Sequence, residues 1–377
     1  MKVKRVGVRV PNMSHYAVRL LTGISEYSAT HGTWELRTSP ETAFGTFDLS
    51  AWDGDGLIGY FGDARAVRDV EQLGVPAVNI SSASQHLMPS VVPDNVAIGR
   101  LAAEDLLSRG FRHLGVFGGL GHEFAQQRLS GFHSRISDAG LACATFDSGN
   151  LRPTKAGRRG LEGWLAALPK PAAILSLADD DSIRLLSACR DAGVMVPEQV
   201  AVLSVDNEEF MCNFAIPPLS SIDTDLRRVG YEGAAMLDRL MRGRPAPQGP
   251  LRIAPIGIVT RRSSDITVIG DAEVLSAIRF IRERACEPVG VKHVLRAVQM
   301  SRSGLDRRFK AALGRTVNDE ILRVRLDRVR ELLTGTDWPM SRIADATGFP
   351  NGNYLAAVFR RETGATPTAF RRARRKS

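Results

Sequence analysis

Seven basic side chains, Arg360, Arg361, Arg371, Arg372, Arg374, Arg375 and Lys376, fall within the last eighteen residues, a density suited to binding a polyanion. A guanidinium is a planar fork of donors that matches phosphate oxygens in pairs. Arg302, Arg307, Arg308 and Lys310 repeat the composition some fifty residues upstream. The charge is confined to one part of the chain. Residues 271–377 hold 22 Lys/Arg against 12 Asp/Glu, whereas the first 270 hold 28 against 29, so the formal charge of +9 belongs to the last third. Other chemistries find less support. Asp179-Asp180-Asp181 offers three carboxylates, but successive side chains cannot converge on one cation, and a strand-to-helix junction uses Asp as a cap. The glycines of Phe117-Gly118-Gly119-Leu120-Gly121 lack the G-x-G-x-x-G spacing of a dinucleotide loop. Cys143, Cys189, Cys212 and Cys286 form no C-x-x-C pair, and the seven histidines adjoin no nucleophile motif. Neither catalytic residues, a metal nor a cofactor is expected.

The elements that position the arginines can be read from periodicity. Ile343, Ala344 and Thr347 form one short apolar face, Gly348-Phe349-Pro350-Asn351 breaks it, and Leu355, Val358 and Phe359 recur at helical spacing beyond. Gly348 suits a left-handed cap, and Pro350 pushes the residue before it out of the α region. Residues 340–372 thus predict a helix-turn-helix. Residues 291–314 predict another: Val291, Val294, Leu295 and Val298, a turn at Met300-Ser301, then Leu305, Phe309 and Leu313 with the basic residues opposite. Ile321, Leu322, Leu326, Val329, Leu332 and Leu333 keep a helical period between the two, which predicts a rigid connector. Such a connector would present two recognition helices to successive major grooves, about 34 Å apart.

The first 265 residues alternate strand and helix patterns: strand at 6–10 ending at Pro11-Asn12, helix 16–30, strand 34–36, strand 56–59, helix 64–73 and strand 76–80. A second set follows Asp94-Asn95, with helices 97–109, 124–139 and 182–192 and strands 114–117, 172–177 and 200–205. This predicts an α/β fold of two open parallel sheets, each with a crevice at the carboxyl ends of its strands. Facing crevices would enclose a ligand, and Tyr16, just after the first strand, is placed either to pack on it or to serve as a core aromatic on its helix face. Residues 251–259 read as one crossover strand, and the domain boundary falls near 263–270, where the charge balance changes. Neither a signal peptide nor a membrane span is expected, since no apolar run of about 18 residues occurs.

With Ala344…Gly348-Phe349, Phe359-Arg360-Arg361-Glu362-Thr363-Gly364, Pro367 and Phe370-Arg371-Arg372 in order, residues 340–372 resemble the signature of AraC/XylS-type transcription regulators. That resemblance implies base-edge contacts at Ser303, Asp306 and Arg307 in the first recognition helix and at Gly352, Asn353 and Ala357 in the second. Arg302, Arg360 and Arg361 would serve phosphates. Arg307 can bridge guanine O6 and N7, and Asn353 can pair with adenine, whereas Gly352 and Ala357 have little to read with. The second helix is therefore expected mainly to dock and bend the duplex.

Leu73-Gly74-Val75-Pro76, Asp94-Asn95, Gln127-Arg128-Leu129-Ser130-Gly131-Phe132, Val205-Asp206-Asn207 and Pro217-Pro218-Leu219 resemble, in order and spacing, the ligand half of LacI-type repressors and periplasmic binding proteins. The resemblance implies sugar contacts from Arg128, Asp206 and Asp179, although Ala178 replaces the asparagine expected before Asp179. The expected architecture is a two-lobed periplasmic-binding-protein-like sugar-sensing domain at 1–265, followed by an all-α tandem helix-turn-helix domain at 271–377. The expected function is a cytoplasmic, homodimeric transcription activator of sugar catabolic genes. Its partners would be double-stranded operator DNA, a small sugar effector (a pentose such as xylose) and RNA polymerase, with no membrane. The alternative is a sugar-binding enzyme or carrier with an accessory DNA module.

Overall fold

The structure is a computed structural model and describes residues 3–10, 15–31, 34–38, 52–150, 155–266, 271–313 and 315–375. Pro11, Asn12, Gly314, Lys376, the last four residues of the expected boundary at 263–270, and the side chains of Arg372, Arg374 and Arg375 lie outside that description. The chain divides into two compact units, Met1–Ile266 and Thr267–Ser377.

Unit one is two-lobed. In the first lobe β1 (Lys4–Arg9), β2 (Trp34–Thr38), β3 (Gly56–Gly59) and β4 (Ala77–Asn79) form a parallel sheet in the order β2-β1-β3-β4. β5 (Val91–Pro93) pairs in parallel with β11 (Leu251–Ile253), and a bridge from Asn79 to Ser90 ties them to β4. Helices α1 (His15–His31), α2 (Ala64–Gln72) and α8 (Leu226–Met241) belong to this lobe, and Val6, Val8, Leu20, Ile24, Ile58, Val78 and Leu226 share its core. The second lobe carries the six-stranded order β12-β10-β9-β8-β6-β7, built from β6 (His113–Gly118), β7 (Cys143–Asp147), β8 (Ala172–Ser176), β9 (Val200–Val205), β10 (Ser220–Asp223) and β12 (Gly257–Val259). β12 alone among these strands is antiparallel to its neighbour. Helices α3 (Asn95–Ser108), α4 (Glu123–Asp138), α5 (Lys155–Ala167), α6 (Asp179–Asp191) and the short α7 (Glu209–Phe214) complete it. Every residue of β8 and β9 is buried, as central strands of a sheet covered on both faces should be.

One sequence expectation is corrected here. Residues 251–259 are two strands serving different lobes, because Pro255 has no N–H to donate and Gly257 adopts a φ of 151°. The chain consequently passes between the lobes three times, after β5, after β10 and between β11 and β12.

Unit two is helical: α9 (Ala272–Arg284), α10 (Val291–Val298), α11 (Arg302–Leu313), α12 (Val317–Gly335), α13 (Met340–Ala346), α14 (Gly352–Thr363) and α15 (Pro367–Arg375). The turn after α10 is made by Gln299 at φ 53° and that after α13 by Gly348 at φ 72°. Two apolar cores flank α12, one around Val294, Leu305, Phe309 and Ile321, the other around Val329, Ile343, Leu355 and Phe359. No helix among the described residues is long and apolar enough to cross a membrane.

Candidate ligand cleft and nucleic-acid interface

Three of the four candidate sugar residues converge between the lobes. Arg128 sits in the second turn of α4, where it is only 3% exposed. Its Nε donates to Asn95 Oδ1 at 2.9 Å and its Nη2 to Asp206 Oδ1 at 3.0 Å, while Nη1 donates to the Leu177 carbonyl. The guanidinium lies over the Phe124 ring, 4.9 Å from its centroid. A buried charge of this kind persists because it is paired and hydrogen-bonded. Its placement depends on Gly99 of α3: a Cβ there would fall 2.0 Å from the Arg128 carbonyl, so only glycine lets the two helices approach.

Asp206 follows β9 with φ 107° and Asn207 with φ 50°, two consecutive left-handed residues that few side chains adopt without support. The support is visible. Arg19, one helical turn beyond Tyr16, donates to the Asp206 carbonyl at 3.0 Å and to Asp223 Oδ1 at 2.5 Å. The Tyr16 amide donates to Glu208 Oε1 at 3.1 Å. These bonds join α1 of the first lobe to the β9–α7 loop of the second. Burial alone would raise Asp223, but hydrogen bonds from Arg19 and the Asp225 amide hold it below the usual carboxylate range.

The Tyr16 and Tyr60 rings meet edge to face with centroids 6.2 Å apart. Enclosure, with the nearby charge of Asp206, pushes the Tyr16 phenol up to about 12, and Tyr60 is raised by burial and by Tyr16. Both therefore stay neutral hydroxyls, able to donate and to accept.

Asp179 stands differently. Its Oδ1 accepts from Ser221 Oγ at 2.7 Å, and its Oδ2 from the Glu208 amide at 2.7 Å and Cys212 Sγ at 3.4 Å. Burial, with the charge of Asp206 adding, raises its carboxyl to about 7 despite these donors. Its oxygens are turned into the protein, where they hold the loop that carries Asp206 to Glu208. Asp180 and Asp181 do not converge with it. Ser148 Oγ donates to Asp181 Oδ1 at 2.8 Å, Arg184 pairs with the same oxygen, and no group of His, Cys, Asp or Glu among the described residues has metal-holding geometry.

Sequence reasoning missed Arg19, Tyr60, Asn95 and Glu208. Tyr60 had a signal, its place at the carboxyl end of the strand Gly56–Gly59, and so had Asn95, beside the crossover at Asp94. Arg19 and Glu208 had none, because only the closed arrangement of two lobes brings them together.

In unit two, α11 exposes Arg302, Ser303 and Arg307, with Asp306 half-buried and 3.8 Å from Arg302. Arg308 turns away and bonds Asp271 and Glu273 at the start of α9, at 3.1 Å each. On α14, Asn353, Ala357, Arg360 and Arg361 lie on the surface, and Arg361 pairs with Glu362 at 2.8 Å. Gly352 packs instead of reading, since a Cβ there would meet the Met340–Ser341 backbone at 3.1 Å. Tyr354, not anticipated, is 54% exposed beside Asn353. Arg325 of α12 joins the two halves. It donates to the carbonyls of Ala285 and Val289 at 2.6 and 2.7 Å and lies 5.9 Å from the Phe349 ring in the second turn.

Comparison with known proteins agrees with this geometry. A periplasmic binding protein-like domain model matches residues 88–264 and a helix-turn-helix domain model residues 294–373. The xylose operon regulatory protein of Escherichia coli (strain K12) is 28% identical over 368 residues, covering 94% of each chain. That of Haemophilus influenzae is 26% identical over 367 residues, covering 94% of this chain and 95% of the relative. The solved structure of a xylose-binding transcription activator superposes with a TM-score of 0.79 at 26% identity, covering 99% of both chains. The chain is therefore a homologue of the xylose operon regulatory proteins, a transcription regulator in which a LacI-type periplasmic-binding-protein-like domain precedes an AraC-type helix-turn-helix domain.

Proposed function

We propose that the cleft of residues 1–265 binds an aldopentose such as xylose and that its occupancy changes how residues 271–377, in a cytoplasmic homodimer, engage operator DNA and RNA polymerase to activate sugar catabolic genes. The observation that carries the reading is the convergence of Arg128, Asp206, Asn95, Tyr16 and Tyr60 between two lobes. Forked donors and acceptors beside aromatic faces are what paired sugar hydroxyls and an apolar ring face require. The xylose named for the relatives narrows the sugar.

Tyr16, Arg128 and Asp206 act as ligand groups in this reading, and Asp179 contributes by bracing the Asp206 loop. On DNA, Ser303, Asp306 and Arg307 face bases in one groove and Asn353 and Ala357 in the next. Arg302, Arg360 and Arg361 face phosphates, and Gly352 sets the seat of α14. Calorimetry of the full chain against aldopentoses and hexoses, with and without duplex DNA selected from a random pool, tests the proposal. Binding of a pentose without turnover that shifts DNA affinity supports it; no sugar binding, or binding that leaves DNA affinity unchanged, defeats it.

A further inference from the structure

The hydrogen-bond network around Arg128 does not stop at Asn95. Asn95 Nδ2 donates to Ser82 Oγ at 2.9 Å and approaches Gln127 Oε1 at 3.4 Å, and Gln127 Nε2 donates to Glu123 Oε1 at 3.2 Å. Gln85 Nε2 then donates to the same Glu123 oxygen at 2.6 Å and to the Ser82 carbonyl at 3.0 Å. Gln85 lies in the segment after β4 of the first lobe, and Glu123 is the first residue of α4 in the second. The network therefore runs from the candidate sugar site to a second bridge between the lobes, remote in sequence from the one made by Tyr16 and Arg19.

One atom in it lacks a partner. Gln85 is 1% exposed, and its Oε1 has no hydrogen-bond donor. The amide cannot be turned round to relieve this, because the neighbours of Nε2 are a carbonyl and a carboxylate, both acceptors, which fix the nitrogen towards them. A buried acceptor left unmade is costly, so such a group marks a place where a donor arrives. The neighbouring Glu123 carboxylate disfavours an anion there. A neutral hydroxyl, which donates without bringing charge, fits.

We infer that Gln85 and Glu123 form a second wall of the ligand cleft, and that Gln85 Oε1 accepts a hydrogen bond from one particular hydroxyl of the bound sugar. This rests on the sugar-binding reading above. Because the wall is contributed by both lobes, the same hydroxyl that selects the sugar also ties the lobes together, so recognition and closure are one event.

The test uses the full chain and calorimetry. Wild type, Gln85→Met, which keeps the length of the side chain and removes the acceptor, and Gln85→Asn, which keeps the amide on a shorter arm, are titrated with D-xylose, L-arabinose and D-ribose. Monodeoxy forms of the tightest binder follow. One deoxy form should bind wild type about tenfold more weakly than the parent sugar. Both variants should lose about the same factor for the parent and show no further loss with that deoxy form. If both variants bind the parent as wild type does, or if every hydroxyl deletion still costs them its full factor, the inference is overturned while sugar binding stands. If wild type binds none of the sugars, the functional reading fails and this inference fails with it.

Discussion

Arg128 and Asp206 are the pair on which the proposed sugar site depends, and each completes the other. Truncating either leaves a buried charge with fewer partners and removes a charged hydrogen bond, worth roughly 1.5–3 kcal/mol. Arg128→Ala and Asp206→Ala should therefore weaken sugar binding by about ten- to a hundredfold and abolish the sugar response, while affinity for DNA without sugar is retained. Unchanged titrations for both would remove these residues from the site. Asp179 carries a different prediction. Its folded carboxyl is raised to about 7, above its ordinary value of 3.8, so the folded protein holds a proton there that the unfolded chain has released. Stability from this group is present in full at low pH and is lost as pH climbs from about 4 through about 7. Urea unfolding of wild type and Asp179→Asn across pH 5 to 8 should show the variant gaining stability relative to wild type as pH rises. A constant difference would mean that the carboxyl is already ionised at pH 5.

Among the elements, α12 does more than connect. Arg325 reaches the carbonyls that follow α9 and the Phe349 ring of the second turn, and Glu320, 1% exposed, is held by Arg315 at 2.6 Å and Arg323 at 2.9 Å. The helix is thus fastened on both sides. Arg325→Ala should cost about 1.5–3 kcal/mol and lower the melting temperature of the helical unit by several degrees. Its selected bases should not change, since no reading residue is altered. Calorimetric melting and selection from a random duplex pool check the two halves of this statement, and an unchanged melting temperature would show that α12 is held by its apolar face alone.

For the molecule as a DNA reader, the two helix-turn-helix motifs are unequal. α11 presents the long donor Arg307, while α14 presents Ala357 and a packed Gly352 at the corresponding places, with Asn353 as its proposed main reader. Arg307→Ala should cost about 1–3 kcal/mol on the cognate site and relax preference at one base pair. Arg360→Ala and Arg361→Ala should weaken all sequences alike, and the slope of log affinity against log salt should flatten by roughly one for each phosphate that is no longer neutralised. Random-pool selection with each variant decides the division of work. It is reversed if an Arg361→Ala pool shifts its bases and the Arg307→Ala pool does not.

Local pattern was enough to read the alternating strands and helices, the two turns of the DNA-binding half and the confinement of positive charge, because periodicity, glycine and proline act over a few residues. It was enough also to mark Arg128 and Asp206, whose surrounding motifs resemble those of a known family. The rest depended on distance. Helices α5, α7, α8 and α9 were not read from the sequence, and the split of 251–259 follows from which lobe each half meets. Arg19 and Tyr16 reach Asp206 and Glu208 across some 190 residues, and Gln85 reaches Glu123 across the other side of the cleft. Asp179 looked like a ligand group by its place in the chain, yet its oxygens are claimed by Ser221, Glu208 and Cys212, which approach it only when β9 and β10 lie side by side. Sequence determined which groups have the chemistry suited to sugar or phosphate; packing decided which of them still have a hydrogen bond to offer, since that depends on neighbours the chain supplies from far away.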